Sequence, residues 1–279
     1  LIPEAILRAT RSEPAFLASI LLLVVVMFIG IFGNWLAPQD PFLLNPESVN
    51  QGSSVAHWLG TDEFGRDLLS RLLIGVQPTL MVALGATLIA GFFGTFIGIA
   101  GAYGRPLTAF LIMRGVDIML SFPPILLALL AVGFWKSGVL SLAVVIGVLY
   151  IPHFARVAHA ATLQVSRMAF MEAEHAMGAS TRRVVLTAIL PNILSPLVVQ
   201  ATLTVAAAIL LESGLSFLGL GIVPPEPSWG QMIGTARGYL SQNPMYVIWP
   251  SLLLAMTVLA INVVGDRLRD ILDPRLREE

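Results

Sequence analysis

A bilayer core about 30 Å thick is crossed by roughly 20 consecutive apolar residues in helical form, and this sequence supplies such runs repeatedly. Residues 14–39, 72–104, 118–135, 137–155, 184–211 and 238–265 contain no Asp, Glu, Lys or Arg. Their apolar character runs all round rather than along one stripe, as it must where a helix faces both lipid and its neighbours. Short strands of alternating polarity, the mark of a membrane barrel, are not seen. The expected fold is an all-α membrane protein with six transmembrane helices, at 16–37, 79–103, 107–134, 138–160, 196–220 and 246–265. They leave an N-terminus at 1–15, an external loop with a short helix at 38–78, a loop at 161–195, a second long external loop at 221–245 and a tail at 266–279. The first apolar run is too long for a signal-peptide core and has no clear small-residue cleavage site before Pro38, so it reads as a retained anchor.

Composition and charge narrow the chemistry. Of 279 residues, 56% are hydrophobic and 12% charged, which excludes a soluble or disordered chain, and a net charge of −1 gives no field for nucleic acid. The absence of cysteine excludes Cys-ligated zinc, iron–sulfur clusters, thiol catalysis and disulfides. Of the 16 basic residues all but Lys136 are arginine. Arg8, Arg11, Arg105, Arg114, Arg156, Arg167, Arg182, Arg183, Arg267, Arg269, Arg275 and Arg277 fall on one side of the six-span arrangement, and only Arg66, Arg71, Lys136 and Arg237 on the other. The positive-inside rule therefore places both termini in the cytoplasm.

The cytoplasmic loop between the fourth and fifth spans carries the most information. Phe170, Ala173 and Met177 fall at i, i+3 and i+7 and predict a helical stripe, with Glu172, Glu174 and His175 off it. Gly178 marks a turn, and Ser180 or Thr181 caps a second helical stretch. Pro191 and Pro196 punctuate the entry into the fifth span. Two readings fit this pattern: an interfacial helix lying on headgroups, or a docking element whose small residues Ala173, Ala176, Gly178 and Ala179 let a partner backbone approach.

Glu172-Ala173, Gly178 and Leu190-Pro191 stand at the spacing of the EAA loop of ABC-importer permeases, which this loop resembles; Glu174 and Ala188 depart from the usual Ala and Ile without altering that spacing. The resemblance covers nearly the whole chain. Residues 57–71 (HWLGTDEFGRDLLSR), 216–221 (SFLGLG), 225–230 (PEPSWG) and 265–274 (GDRLRDILDP) resemble the C-type permease subunit of dipeptide and oligopeptide importers. It implies the type I importer permease fold in a bacterial or archaeal cytoplasmic membrane. It also implies four kinds of partner: a homologous second permease, two cytoplasmic ATPase subunits, an extracytoplasmic solute-binding protein and the lipid bilayer. ATP and Mg would be bound by the ATPases, with no cofactor on this chain. Glu172, Ala173 and Gly178 become coupling positions, with Ala176, Ala179, Arg182 and Arg183 as neighbours. The same subunit family includes permeases resembling nickel and glutathione importers, so nickel or another small solute is the alternative to peptides.

The residues agree that the ATPase lies elsewhere. A phosphate loop needs Gly-Lys-Ser/Thr, and the only lysine, Lys136, follows Trp135 in an external turn. His153 and His159 are six apart, off the i, i+4 metal-ligand spacing. An enzyme would need a polar constellation at one membrane face, and an ion-driven secondary transporter would show inverted repeats; neither is evident. Several polar positions carry open alternatives. Glu212 in the fifth span, with Ser216, either pairs inside the bundle or with the partner permease, or faces the translocation path and contacts a charged or zwitterionic solute. Pro123-Pro124 break the third span, which makes Pro123 a candidate for the path. Asp62, Glu63, Arg66 and Asp67 form an external charged patch, either solvated or in contact with the binding protein, within a helical piece expected from Asp62 to Leu73. Arg114 and Asp117 are spaced to pair with each other. Gly94 and Gly98 predict close helix packing, and Trp229 suits an interfacial aromatic belt.

Overall fold

The structure is a computed structural model that describes residues 14–134 and 138–272. The first thirteen residues, Lys136 with its two neighbours and the last seven residues lie outside the described part, and with them Arg8, Arg11, Arg275 and Arg277. Among the described residues the structure is helical, and its single extended pairing is an isolated bridge between Thr61 and Asp67. We number the helices α1 (Pro14–Leu36), α2 (Leu68–Ile74), α3 (Val76–Tyr103), α4 (Pro106–Leu120), α5 (Pro124–Phe134), α6 (Val139–Ser166), α7 (Ala169–Ala176), α8 (Leu190–Phe217), α9 (Trp229–Ala236) and α10 (Met245–Leu272). Five helical stretches are long and apolar enough to cross a membrane, six when α4 and α5 count as one broken span.

Proline and glycine set the punctuation. Gly104 ends α3, and Pro106 opens α4, where its missing N–H costs nothing. The break at Pro123-Pro124 is larger than an interruption: α4 and α5 meet at 89°, so the third apolar run is an elbow rather than a rod. Two adjacent prolines remove two donors and bias the preceding residues away from helix. At the fifth run the helix begins earlier than the prolines announce. One helical turn, Thr181–Arg183, and a π-helical segment, Val184–Ile189, lead into α8, which takes Pro191 in its first turn and runs on through Pro196. The charged piece beginning at Asp62 is not helical until Leu68; residues 62–67 form a tight turn held by the Asp62 carboxylate, which accepts from the N–H of Phe64 and of Arg66, both at 2.9 Å.

The seam between α3 and α6 is the closest helix contact. A Cβ on Gly94 would lie 2.7 Å from the Ile151 carbonyl oxygen, and one on Gly98 would lie 2.6 Å from Ala158 Cβ. On the facing helix, a Cβ on Gly147 would sit 2.8 Å from Ile89 Cβ. The glycine spacing is therefore spent on contact within the chain.

Two apolar cores flank this seam. The larger joins Val76, Val82, Leu142, Ile146, Ile209 and Trp229. The smaller joins Phe154, Val165, Ile189 and Ile193 with Met171 of the short helix α7, so the loop below the bundle is anchored in the bundle's own packing. Trp229 is fully buried, and its indole N–H donates to the Leu72 carbonyl at 3.3 Å. It is a core residue rather than part of an interfacial belt, because α9 folds back over the ends of α2 and α8.

Gly98→Val forces its side chain into Ala155 and Ala158 and should cost about 1–3 kcal/mol by overpacking. Gly133→Val meets open space. The thermal midpoint of the detergent-solubilised chain should fall for the first and hold for the second; equal midpoints would contradict the seam.

Candidate coupling helix and external cap

α7 begins directly after α6 and ends in a Schellman motif. Gly178 takes the left-handed conformation at φ +72°, and the Ala179 N–H reaches back to the Glu174 carbonyl at 3.1 Å. The glycine anticipated as a turn is thus the cap that stops the helix after two turns. Ser180 occupies the expected cap position before Thr181, but its side chain makes no capping bond.

The buried face of α7 is not the one the spacing predicts. Met171, 1% exposed, is the anchor, whereas Phe170 and Met177 are 41% and 74% exposed and Ala173 is also exposed. Neighbouring residues on a helix point about 100° apart, so anchoring through Met171 turns the 170–173–177 stripe outward. Glu172, Ala173, Ala176, Gly178, Arg182 and Arg183 are all exposed, and Ala179 is half-buried. The candidate coupling positions therefore form one open surface on a segment whose other side is locked into the bundle. One carboxylate oxygen of Glu174 is enclosed without a hydrogen-bond partner.

At the opposite end, the four charged residues expected as an external patch are interior. Asp62, Arg66 and Asp67 are 0%, 4% and 2% exposed. Arg66 Nε pairs with Asp62 Oδ2 at 2.6 Å, and Arg66 Nη2 with Glu63 Oε1 at 3.1 Å. Arg71, fully buried on α2, approaches the same Asp62 oxygen at 3.3 Å and donates to the Pro41 carbonyl at 3.2 Å and the Pro225 carbonyl at 3.5 Å. The Tyr246 hydroxyl donates to Glu63 at 2.7 Å. Asp67 caps α2 through the Ser70 N–H at 2.9 Å and pairs with His57 at 3.0 Å. Asn243 donates to the carbonyls of Gln51 and Thr61. These contacts knit the loop before α2 to the loop before α9 and to the start of α10. The charges close a cap and are turned away from solvent. Arg71, Tyr246 and Asn243, not singled out from sequence, hold it together; a buried partner far along the chain has no local signature.

Glu212 and Ser216, candidates for the translocation path, also turn inward. Glu212 is 0% exposed and accepts from Ser216 Oγ at 2.7 Å and Ser213 Oγ at 3.3 Å, with Ser228 as a further partner. Ser216 Oγ in turn accepts from the Ile222 N–H at 3.0 Å. A buried carboxylate needs such donors, and here they come from α8, with the N-cap residue Ser228 of α9 and Thr79 of α3 alongside. The pair therefore ties α9 to the end of α8 rather than lining an opening. Gly230 and Gly234 let α9 lie on Ser213 and Phe217. Pro123 remains exposed at the elbow. Below it, Asp117 pairs with Arg156 of α6 at 2.6 Å instead of with Arg114. Among the described residues no group of three or more His, Asp or Glu has metal-site geometry.

Comparison with known proteins places this geometry. Residues 90–278 match the family model described as the binding-protein-dependent transport system inner membrane component. The chain is 39% identical over 267 residues to the di/tripeptide transport system permease protein DppC of Pseudomonas aeruginosa, covering 94% of this chain and 88% of that protein. It is 36% identical over 271 residues to the glutathione transport system permease protein GsiD of Escherichia coli, covering 97% of this chain and 89% of that protein. Among solved structures, a chain of the MetNI methionine ABC transporter in an inward-facing conformation superposes with a TM-score of 0.61 at 26% identity, covering 72% of this chain and 96% of that one.

Replacing Arg71 by Met removes a buried cation while keeping its stem, and Asp62 loses one of its two guanidinium partners. The expected loss is about 3–5 kcal/mol, read as a lower thermal midpoint. Glu212→Leu should lower it as well, while Glu212→Gln, which keeps an acceptor for Ser216, should lower it less. A midpoint unchanged in Arg71→Met would contradict the closed cap.

Proposed function

The chain belongs to the family of binding-protein-dependent transport system inner membrane components, and from that premise we propose that it forms half of the translocation path of an ATP-driven importer of peptides. As a multi-pass permease of an ABC importer it works with ATPase and binding-protein partners. We assign two cytoplasmic ATPase subunits, which carry ATP and Mg, a homologous second permease and an extracytoplasmic solute-binding protein. The peptide assignment rests on the similarity to the di/tripeptide and glutathione permeases. Both termini and α7 are assigned to the cytoplasm, on the arginine asymmetry.

One observation carries the mechanism: α7 is anchored on one side by Met171 and open on the other along Phe170, Ala173 and Met177. An ATPase that grips the open side moves Met171, and Met171 packs among side chains of α6 and α8. Closure of the ATPases is thereby passed to two spanning helices as a rigid displacement. Alternating access follows when ATP and its hydrolysis products favour different arrangements of that joint. Glu172, Ala176, Gly178, Ala179, Arg182 and Arg183 are the docking neighbours in this reading. This chain contributes no residue to ATP hydrolysis.

Glu172→Arg reverses a charge on the docking face without touching the core. Binding-protein-dependent uptake should drop at least about tenfold, a loss on the order of 1.4 kcal/mol at the interface, while the amount of protein in the membrane holds. Wild-type uptake in that variant would remove Glu172 from the docking face.

A further inference from the structure

A cavity of about 760 Å³ opens between the ends of α6, α8 and α10 nearest to the coupling helix. Its walls are two facing helical stripes, residues 157, 161, 164 and 165 on α6 and residues 192, 195, 196, 199, 200 and 203 on α8, closed by Met168 in the turn after α6 and by Arg269 and Leu272 of α10. Apolar side chains form most of the wall. Set into it are Gln164, Asn192, Ser195 and Gln200. Asn192 Nδ2 is bonded to the Ala188 carbonyl and Gln200 Nε2 to Thr204, which leaves both amide oxygens open. Gln164 and Ser195 make no side-chain hydrogen bond among the described residues. Among the described residues Arg269 has no carboxylate partner and no Asp or Glu lines the cavity.

We propose that this cavity is a solute site on the coupling side of the membrane, taking a short peptide by its carboxylate end. Open amides and a hydroxyl match the N–H and C=O groups of a peptide backbone, which a purely apolar groove would leave unsatisfied. The guanidinium of Arg269 matches a carboxylate in a planar, two-bond geometry. Side chains of varied shape find the apolar wall, and among the described lining residues the one charged group is the Arg269 guanidinium, so the anionic end is the one recognised. The volume suits a di- or tripeptide rather than an ion. Because Met168 lines the cavity and α7 begins at the next residue, an occupant touches the turn that joins α6 to the helix carrying the ATPase stroke. The proposal rests on the peptide-importer reading and adds the place and polarity of binding.

The assembled transporter with Ser195→Cys in this cysteine-free chain, held in proteoliposomes with the ATPases outward, supplies the test. Labelling at residue 195 by a polar maleimide is followed by mass spectrometry against rising dialanine, with Gln164→Cys as a second reporter. Dialanine should slow labelling about tenfold at roughly ten times its half-protecting concentration. Dialanine amide, which lacks the carboxylate, should need about tenfold more. Arg269→Gln should abolish that difference, and Arg269→Lys should restore part of it. Equal protection by the acid and the amide, or protection by oleate and not by dialanine, would overturn the proposal. ATP-driven uptake of dialanine by the same vesicles separates the two levels: uptake without protection removes this site alone, and absent uptake removes the peptide reading.

Discussion

Helices in lipid gain nothing from hiding apolar surface against one another, so their association depends on close van der Waals contact and on polar groups that find partners. In this chain the contact is the α3–α6 seam, where Gly94 and Gly98 bring backbone against backbone. The rest of the bundle is arranged around that rigid pair. α8 packs on both helices, α10 packs on α8, and the two apolar cores lie on either side. A rigid centre lets a displacement applied at one end of the bundle arrive at the other.

The two ends use their polar residues in opposite ways. At the end away from α7, Asp62, Glu63, Arg66, Arg71 and Tyr246 pair inside a cap in which Arg71 Nε and Nη2 stay without a hydrogen-bond partner, and Glu212 is held by serine hydroxyls. Breaking such a cap exposes unpaired charge, which favours discrete closed and open arrangements over gradual deformation. At the α7 end Glu172, Arg182, Arg183 and the small residues Ala173 and Ala176 stay open, and Met171 is the fully buried attachment among the described side chains of α7. An interface that must bind, move and release is served by surface; a closure that must hold is served by buried ion pairs.

Much of the fold is legible in the sequence, because spanning helices are written in charge-free runs and their stops in Gly and Pro. The elbow at Pro123-Pro124, the seam glycines and the turn at Gly178 are all local statements that the backbone obeys. Side-chain direction is less legible. Asp62 and Arg66 at i, i+4 look the same in a solvated helix and in a buried turn; the difference is made by Arg71, Tyr246 and Pro225, brought in from distant elements. At α7 the apolar residues 170, 173 and 177 outnumber Met171, yet Met171 is the one the neighbouring helices cover. Glu212 is equally ambiguous in sequence, and its hydroxyl partners decide for the interior.

The central claim is that α7 is the joint between this chain and a cytoplasmic ATPase. Since the chain contains no cysteine, one introduced at Ala176, on the exposed face, reports that contact alone. In the assembled complex it should crosslink to the ATPase at a defined site, with a yield that changes when ATP is trapped. A complex that assembles but gives no crosslink from Ala176 or its exposed neighbours would contradict the account and place α7 on the lipid surface.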